Sequence, residues 1–165
     1  MSKYISLGKS GYQAIVDDED YTKAMKFKWY LLKCSNLNYA ICAKYMGKIN
    51  GKDIIGHMLL HRYILHPPHK NHVDHINHNG LDCRKKNMRI CTSRENQYNG
   101  RSRIHSSSIF KGVDWNKNTN KWRSRIRYNG KQVYLGLFDS EREAAQIYNI
   151  YAKKFHGEYA NLNCI

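Results

Sequence analysis

Residues 72–99 constrain the fold of this chain more than any other stretch, because they combine reactive side chains with clear turn and helix signals. They read HVDHINHNGLDCRKKNMRICTSRENQYN. An adjacent acid and imidazole, Asp74 and His75, are followed by a turn-rich loop and a short apolar run. Thr92 can cap a helix, and Glu95, three residues later, can reach back to it in a capping box. The stretch therefore predicts a strand, a loop, a second strand and a helix.

The polar residues of this stretch resemble those of the HNH endonucleases, in the homing subgroup found in introns and phages. The matching pattern reads VDHIN, LD, N-M-R, T and EN, and its core motif spans residues 61–99. The resemblance implies a ββα-metal fold in which Asp74 binds a metal and His75 is the general base. It also implies that Asn87, the middle residue of the motif, orients the backbone around His75, and that Asn96 supplies the second metal ligand.

Residues 57–66 read HMLLHRYILH and place apolar side chains on one helical face. His57 and His61 have the spacing of two metal ligands on a helix, but no HExxH arrangement follows His57. A helix that packs against the nuclease strands, with His61 partly buried, is therefore the favoured prediction. The homing subgroup has a matching His-Arg pair here, which implies that His61 and Arg62 support the site.

The charge balance predicts a polyanionic partner. The chain has 28 lysines and arginines against 13 acids, which gives a net charge of +15. The basic excess extends over both halves of the sequence, as expected of a protein that contacts nucleic acid over a large surface. A basic protein without such a partner is the alternative.

The cysteine pattern and hydropathy indicate an intracellular protein that is not secreted. The five cysteines include no CxxC pair, so reduced thiols are expected and no structural zinc. The sequence shows neither a signal peptide nor an apolar run long enough for a membrane span. If the chain is borne by a phage, the expected location is the cytoplasm or nucleoid of a bacterial host.

The first 57 residues predict a small, mostly β region. Residues 4–7 and 12–16 are expected to form strands around a glycine-rich turn. The acidic cluster at 17–20 suits the start of a short helix over 18–26, with coordination of a cation as the alternative. Further strands are predicted at 37–44 and 53–57.

The last third of the chain shows a different pattern after a basic, Ser-rich linker at 101–107. Three short strands with tight turns predict an antiparallel sheet, in which Asn129-Gly130 is a hairpin signal. A helix is then expected, capped by Ser140 and ended by Gly157. The segments FKGV, KWRSRIR, YLGLFDSEREAAQIYN and HGEYANLN resemble the ethylene-response-factor type of plant DNA-binding domain.

Strand alternation divides the side chains of the KWRSRIRY segment between two faces. The face toward the helix is predicted to hold Trp122, Ser124 and Ile126. The open face is predicted to hold Arg123, Arg125 and Arg127, which could lie in a major groove. The resemblance adds residues bordering the same face: Lys111, Trp115, Asn116, Lys117 and Tyr134. A solvated basic face is the alternative, and Asp114 and Asn116 stand where the plant domains favour arginine.

Together these patterns predict an α+β chain with a nuclease domain at 1–100, including its β-rich N-terminal extension, and a DNA-binding domain at 108–165. The expected activity is metal-dependent hydrolysis of duplex DNA, with Mg²⁺ as the preferred divalent metal and Mn²⁺ as an alternative. No membrane or protein partner is expected, and the chain would act as a monomer or homodimer. A non-catalytic DNA-binding regulator and an RNA-directed protein are the alternative functions.

Overall fold

The computed structural model describes residues 1–34, 37–101 and 106–165. Contacts divide the chain into two compact units, Met1–Ser93 and Arg94–Ile165. Helices and antiparallel sheets occur in the chain, which confirms the α+β prediction. The limits predicted for the domains stay predictions, and most of the expected linker, residues 102–105, lies outside the described residues.

The first unit contains three small antiparallel sheets, which pair β1 with β2, β3 and β5 with β4, and β6 with β7. Its elements are β1 (Ser2–Ser6), β2 (Gln13–Asp17), α1 (Asp18–Ala24), β3 (Tyr30–Lys33), β4 (Asn38–Ile49), β5 (Lys52–Leu59), α2 (Leu60–Leu65), β6 (His72–His75) and β7 (Met88–Cys91). A 3₁₀ turn at Lys85–Asn87 precedes β7.

Local signals place the first elements where the sequence predicts them. In β2 the alternation buries Ala14 and Val16 and leaves their neighbours outside. The acids Asp18, Glu19 and Asp20 occupy the first turn of α1, where they face the positive end of the helix. The helix ends at Ala24, two residues earlier than predicted.

The hairpin of β4 and β5 departs most from the sequence prediction. β4 continues to Ile49, and β5 continues to Leu59, which pairs with Ile41. Cross-strand pairing therefore keeps the backbone extended at His57, and α2 begins only at Leu60. The prediction of a helix from residue 57 is wrong at its start.

One apolar core fills the first unit. It joins the N-terminal hairpin to α2 and β7 through Leu7, Val16, Leu60 and Met88. Trp29 lies in the same cluster, and its indole Nε1 donates to the Ala24 carbonyl oxygen at 2.8 Å, which satisfies the polar edge of a buried ring. The N-terminal β-rich region thus forms part of the support for β6 and β7.

The second unit contains a three-stranded antiparallel sheet of order β8-β9-β10, with one long helix against it, as predicted. Its elements are α3 (Ser93–Asn99, which starts at the unit boundary), β8 (Val113–Asn116), β9 (Lys121–Tyr128), β10 (Lys131–Phe138) and α4 (Glu141–His156). The Ser140 side chain accepts a hydrogen bond from the Glu143 backbone N–H, and Gly157 follows the helix at φ +56°.

Side-chain packing fixes which face of this sheet is covered. Ile126 packs with Tyr148 and Ala152 of α4, and Ser124 is also fully buried. Gly112 lies so close to the Tyr148 ring that an added Cβ would stand 2.1 Å from it. The covered face is therefore the one predicted from strand alternation.

The β9–β10 hairpin turns through Asn129 and Gly130, both at positive φ, as an Asn-Gly type I′ turn requires. No helix within the described residues has the length and apolar character needed to cross a membrane.

Candidate active site and candidate nucleic-acid interface

Asp74 and His75 occupy the last two positions of β6, next to β7. Both residues are buried, at 4% exposure each. The antiparallel register sets Asp74 directly opposite Arg89. Arg89 donates from Nε at 2.8 Å and from Nη2 at 2.7 Å, and both bonds end on Oδ2 of Asp74. The acid is thus held by a largely buried cation from the neighbouring strand.

His75 belongs to a cluster of three aromatic rings. The His61 ring lies edge-on to it with centroids 5.1 Å apart, and the Tyr39 ring is 6.0 Å from His75 and 5.3 Å from His61. These residues come from β4, α2 and β6, so three elements converge on the imidazole. Tyr39 was not identified from the sequence, since nothing local marks it.

Burial controls the protonation of both imidazoles. It lowers the pKa of His75 to about 4, although the neighbouring carboxylates of Asp74 and Asp82 act in the opposite direction. It lowers the pKa of His61 to about 3, aided by His75 and Arg62. Both rings are therefore neutral near pH 7, and a neutral imidazole is the form that accepts a proton.

Asn87 is buried and joins both ends of the loop that follows His75. Its Oδ1 accepts from the Asn77 backbone N–H at 3.0 Å, and its Nδ2 donates to the Asp82 carbonyl oxygen at 2.8 Å. Its own backbone carbonyl accepts from Ile76 at 2.9 Å. These contacts hold the backbone directly after the imidazole. The role that the resemblance implies for Asn87 in the reaction stays a prediction.

A buried acid, Asp82, stabilises the same loop. Arg84 donates from Nε to its Oδ1 at 2.7 Å and from Nη2 to its Oδ2 at 2.6 Å, and this contact lowers the pKa of Asp82. Asn77 also donates to Oδ2, at 2.9 Å. The Leu81 carbonyl oxygen accepts from the backbone N–H of Ile15 in β2 at 2.8 Å. The Ile15 carbonyl oxygen accepts from the backbone N–H of Cys83, also at 2.8 Å. The N-terminal hairpin therefore supports the loop.

The supporting pair from α2 differs in environment. His61 is buried, and its Nδ1 has no hydrogen-bond partner within residues 1–34, 37–101 and 106–165. Arg62 is only partly buried and donates from Nη1 to the Asn71 carbonyl oxygen at 2.9 Å, which ties the chain before β6 to α2. His61 thus faces the candidate site, and Arg62 holds the strand that carries it.

Asn96 lies on α3, and residues 94–99 group with the second unit. There the Tyr98 ring stacks on the His156 ring of α4, with centroids 3.8 Å apart. Lys111 donates from Nζ to the backbone carbonyl oxygen of Tyr98 at 2.5 Å. A shared metal site of Asp74 and Asn96 stays a prediction. Across the described part of the chain, no group of three His, Cys, Asp or Glu side chains is arranged to hold a metal.

The open face of the second unit's sheet carries the predicted arginines. Arg123 and Arg125 are about one-third exposed, and Tyr134 stands opposite Arg125 on β10. Between the arginines lies Asp114 of β8, whose carboxylate bonds to both guanidinium groups. Arg127 is more exposed and donates to the Gly130 carbonyl oxygen at 3.4 Å.

The bordering residues do not all share this face. Asn116 comes two residues after Asp114 in β8, so its side chain lies on the same open face. Lys117 is exposed in the turn that follows. Trp115 pairs directly with Trp122, and their rings meet edge-on at 5.1 Å, which places it on the side of α4. Lys111 points inward to Tyr98, and burial lowers its pKa to about 8. Their roles in binding DNA stay predictions.

The chain has relatives among known proteins. The chain is 31% identical over 161 residues to the uncharacterized HNH endonuclease L560 of Acanthamoeba polyphaga mimivirus, which covers 94% of this chain and 76% of that protein. The chain belongs to the HNH endonuclease family. It is also 30% identical over 93 residues to protein 3.8 of Escherichia phage T7, which covers 56% of this chain and 76% of that protein.

The C-terminal part of this HNH family member matches a second family. Residues 108–158 match the AP2 domain. Over 59 residues the chain is 44% identical to the AP2-like ethylene-responsive transcription factor TOE2 of Arabidopsis thaliana, which covers 36% of this chain and 12% of that protein. No solved structure matches the chain. The recognition of an HNH endonuclease fused to an ethylene-response-factor type of domain is therefore confirmed.

Sequence reasoning missed the acid–arginine pairs at both sites. Arg89 stands in the N-M-R segment, and Asp114 was noted only as a departure from the plant pattern. Pairing β6 with β7 and β8 with β9 in the correct register would have placed each acid opposite an arginine. The signal was present, but it depends on strand register.

Proposed function

We propose that the chain is a metal-dependent DNA endonuclease of the homing type, in which His75 is the general base. The observation that carries this proposal is a buried, neutral imidazole beside a buried carboxylate that an arginine orients. Membership of the HNH endonuclease family supports the same reaction class. The expected products carry 5′-phosphate and 3′-hydroxyl ends.

The donor set of the site suits a hard divalent cation, because the Asp74 carboxylate and the Asn96 amide both offer oxygen ligands. These two residues would hold Mg²⁺, or Mn²⁺ as the alternative, which would stabilise the charge that develops on the scissile phosphate. His61 adds a buried ring nitrogen near His75 rather than an oxygen ligand. We assign it a supporting role, as we do Arg62.

The protein's own side chains prepare the attack of water on the phosphate. His75 takes the proton from the water, because the buried imidazole is neutral over the whole neutral pH range and its unprotonated ring nitrogen can accept it. Asn87 fixes the loop behind the imidazole through both ends of its amide. Arg89 holds the Asp74 carboxylate in one orientation. Asn87 and Arg89 act through other residues and are positioning residues.

The second unit is proposed to bind duplex DNA through the open face of its sheet. Arg123, Arg125 and Tyr134 share this face, and Arg127 and Asn116 extend it. Lys117 borders it. The DNA contacts of Trp115 and Lys111 stay predictions, since both side chains point away from this face. Residues 108–165 would thus position the duplex, and residues 1–100 would cut it, in a monomer or a homodimer.

A cleavage assay on supercoiled plasmid tests the nuclease proposal. The full chain with Mg²⁺ or Mn²⁺ is expected to convert plasmid to nicked or linear product, and EDTA is expected to stop it. The His75→Ala variant should cut at least about 100-fold more slowly, since it lacks the base. The matched control is His69→Ala, which removes an exposed histidine outside the strand.

Binding measurements on the same variants separate the competing functions. Both histidine variants should retain duplex binding, because the sheet of the second unit is unchanged. Equal cleavage by wild type and His75→Ala would contradict the assigned base. Duplex binding without any metal-dependent cleavage would establish the non-catalytic regulator instead. Stronger competition by RNA than by duplex DNA would favour the RNA-directed alternative, because the sheet should prefer B-form grooves.

A further inference from the structure

Asp114 occupies the middle of the open face that the proposed function assigns to DNA. It stands directly opposite Arg123 on the neighbouring strand, and Arg125 lies two residues further along the same face. The carboxylate is partly buried, at 23% exposure. The two arginines hold its pKa below the usual range, although burial acts in the opposite direction. A carboxylate at the centre of a basic surface requires an explanation.

The two carboxylate oxygens of Asp114 divide between the two arginines. Oδ2 accepts from Nη2 of Arg123 at 2.7 Å. Oδ1 accepts from Nη2 of Arg125 at 2.6 Å and from its Nε at 3.1 Å. The carboxylate therefore holds two like-charged groups at a fixed separation, which otherwise would repel each other and sample many rotamers.

The bonds to Asp114 also determine which edge of each guanidinium group remains for a ligand. A guanidinium has five N–H donors. Asp114 takes an Nη2 donor from Arg123 and both Nη2 and Nε donors from Arg125, and Nη1 takes part in none of these bonds. The Nε of Arg123 is buried. Both arginines thus keep the edge formed by Nη1 and the second Nη2 hydrogen, which can donate two parallel bonds to guanine O6 and N7.

Charge alone does not account for Asp114. A carboxylate on this face cancels one of the two arginine charges and so weakens attraction to phosphates. Its contribution is therefore geometric, because an arginine held in one orientation discriminates between base edges better than a mobile one. Surface ion pairs contribute little to stability, which makes a purely structural role a poor explanation.

We propose that Asp114 is a specificity-determining positioning residue, which fixes Arg123 and Arg125 so that each reads a guanine in the major groove. This rests on the proposed binding of duplex DNA by the same face. The target should then contain two guanines whose recognition depends on a residue that does not itself contact the bases.

Selection of bound duplexes from a random pool tests this proposal with the full chain in EDTA, where no cleavage is expected. Dissociation constants are then measured for the selected duplex and for a scrambled one. The specificity ratio is the constant for the scrambled duplex divided by that for the selected duplex. Asp114→Asn should reduce this ratio at least about fivefold, the lower limit for loss of one bidentate base contact. It should also bind the scrambled duplex more tightly, because the surface gains positive charge.

Two further variants separate geometry from charge. Asp139→Asn removes an exposed acid that pairs only at the surface with Lys121, so it makes the same charge change without touching the arginines. It should leave the ratio unchanged. Asp114→Glu keeps the charge but displaces the carboxylate by one methylene, and it should also lower the ratio. Thermal melting of each variant confirms that the sheet remains folded.

The possible outcomes distinguish this proposal from the proposed function. The positioning role is supported if wild type selects a guanine-containing duplex and both Asp114 variants lose discrimination while Asp139→Asn keeps it. Equal ratios for wild type and Asp114→Asn, or equal losses in Asp139→Asn, overturn it while DNA binding stands. Failure of wild type to select any duplex overturns the DNA-binding function and this inference together.

Discussion

Both units hold an aspartate directly opposite an arginine on adjacent antiparallel strands, but in different surroundings. In the first unit the Asp74 and Arg89 side chains are 5% and 14% exposed. In the second, Asp114 is 23% exposed and its two arginines about one-third. The same local pairing therefore fixes a carboxylate inside one site and orients cations on the surface of the other. Burial decides which partner is available to a ligand.

Removal of Arg89, whose side chain is largely buried, should have the largest effect. Arg89→Met leaves the Asp74 carboxylate buried without its arginine, and we expect the free energy of unfolding of the first unit to fall by about 3–5 kcal/mol. Hydrogen exchange of the amides in β4 and β6, followed by mass spectrometry, measures this loss locally.

The exposed pair supplies the matched control for this loss. Arg123→Met should lower the free energy of unfolding of the second unit by less than about 1 kcal/mol, because solvent screens a partly exposed pair and Asp114 keeps Arg125. Losses of similar size in the two units would show that burial does not separate the pairs.

Acid should destabilise the first unit through its buried histidines. The pKa of His61 is about 3 in the folded chain, against about 6.5 when unfolded. Below pH 6.5 the unfolded state therefore takes up the proton first, and stability falls as the pH falls. For His61 we expect a loss on the order of 3 kcal/mol between pH 7 and pH 4.

The variant His61→Phe isolates this contribution. It keeps a ring of similar shape that does not titrate, so the free energy of unfolding should depend less steeply on pH between 6.5 and 4. At pH 7.5 the variant should lie within about 1.5 kcal/mol of wild type. Urea denaturation at a series of pH values provides the comparison, and an unchanged slope would refute the assignment.

Loss of a surface arginine should affect DNA affinity rather than the chemical step. Arg125→Ala removes a cation from the open face, and we expect duplex binding to weaken about tenfold. Cleavage at saturating protein should be unchanged, because Arg125 belongs to the second unit, whereas Asp74 and His75 belong to the first. Fluorescence anisotropy and plasmid cleavage measure the two effects separately.

An arginine outside the sheet serves as the control. Arg142→Ala makes the same charge change on the exposed side of α4, and it should weaken binding much less than Arg125→Ala. Comparable losses from both variants would mean that total charge, and not this face, determines affinity.

Features set by neighbouring residues were predictable from the sequence. The Asn129-Gly130 turn and the Ser140 cap each depend on contacts within a few residues, and the structure has both. The covered and open faces of β9 follow from alternation alone. By contrast, the helix predicted from His57 was wrong at its start, because pairing with β4 extends β5 to Leu59.

The candidate site was predictable in composition but not in surroundings. Asp74 and His75 stand out as neighbours in the sequence, whereas Tyr39 reaches the imidazole only through the tertiary fold. The contact between Asp74 and Arg89 depends on the register of two strands separated by a loop. Burial, which sets the protonation of His75, is a property of the whole unit and has no local sequence signal.

The smallest expected effect concerns Arg127, which differs from its neighbours on β9. It donates to the Gly130 carbonyl of its own turn at 3.4 Å, and its side chain is not one of the two that Asp114 holds. An exposed guanidinium outside the Asp114 pair is suited to a phosphate contact, which is independent of sequence. Arg127→Ala should therefore weaken binding only about threefold. The slope of log Kd against the logarithm of the salt concentration should fall by about one, the value for one lost phosphate contact. Dissociation constants across a salt series, on the selected and scrambled duplexes, should show the same loss for both. A selective loss on the target duplex would instead place Arg127 among the residues that read bases.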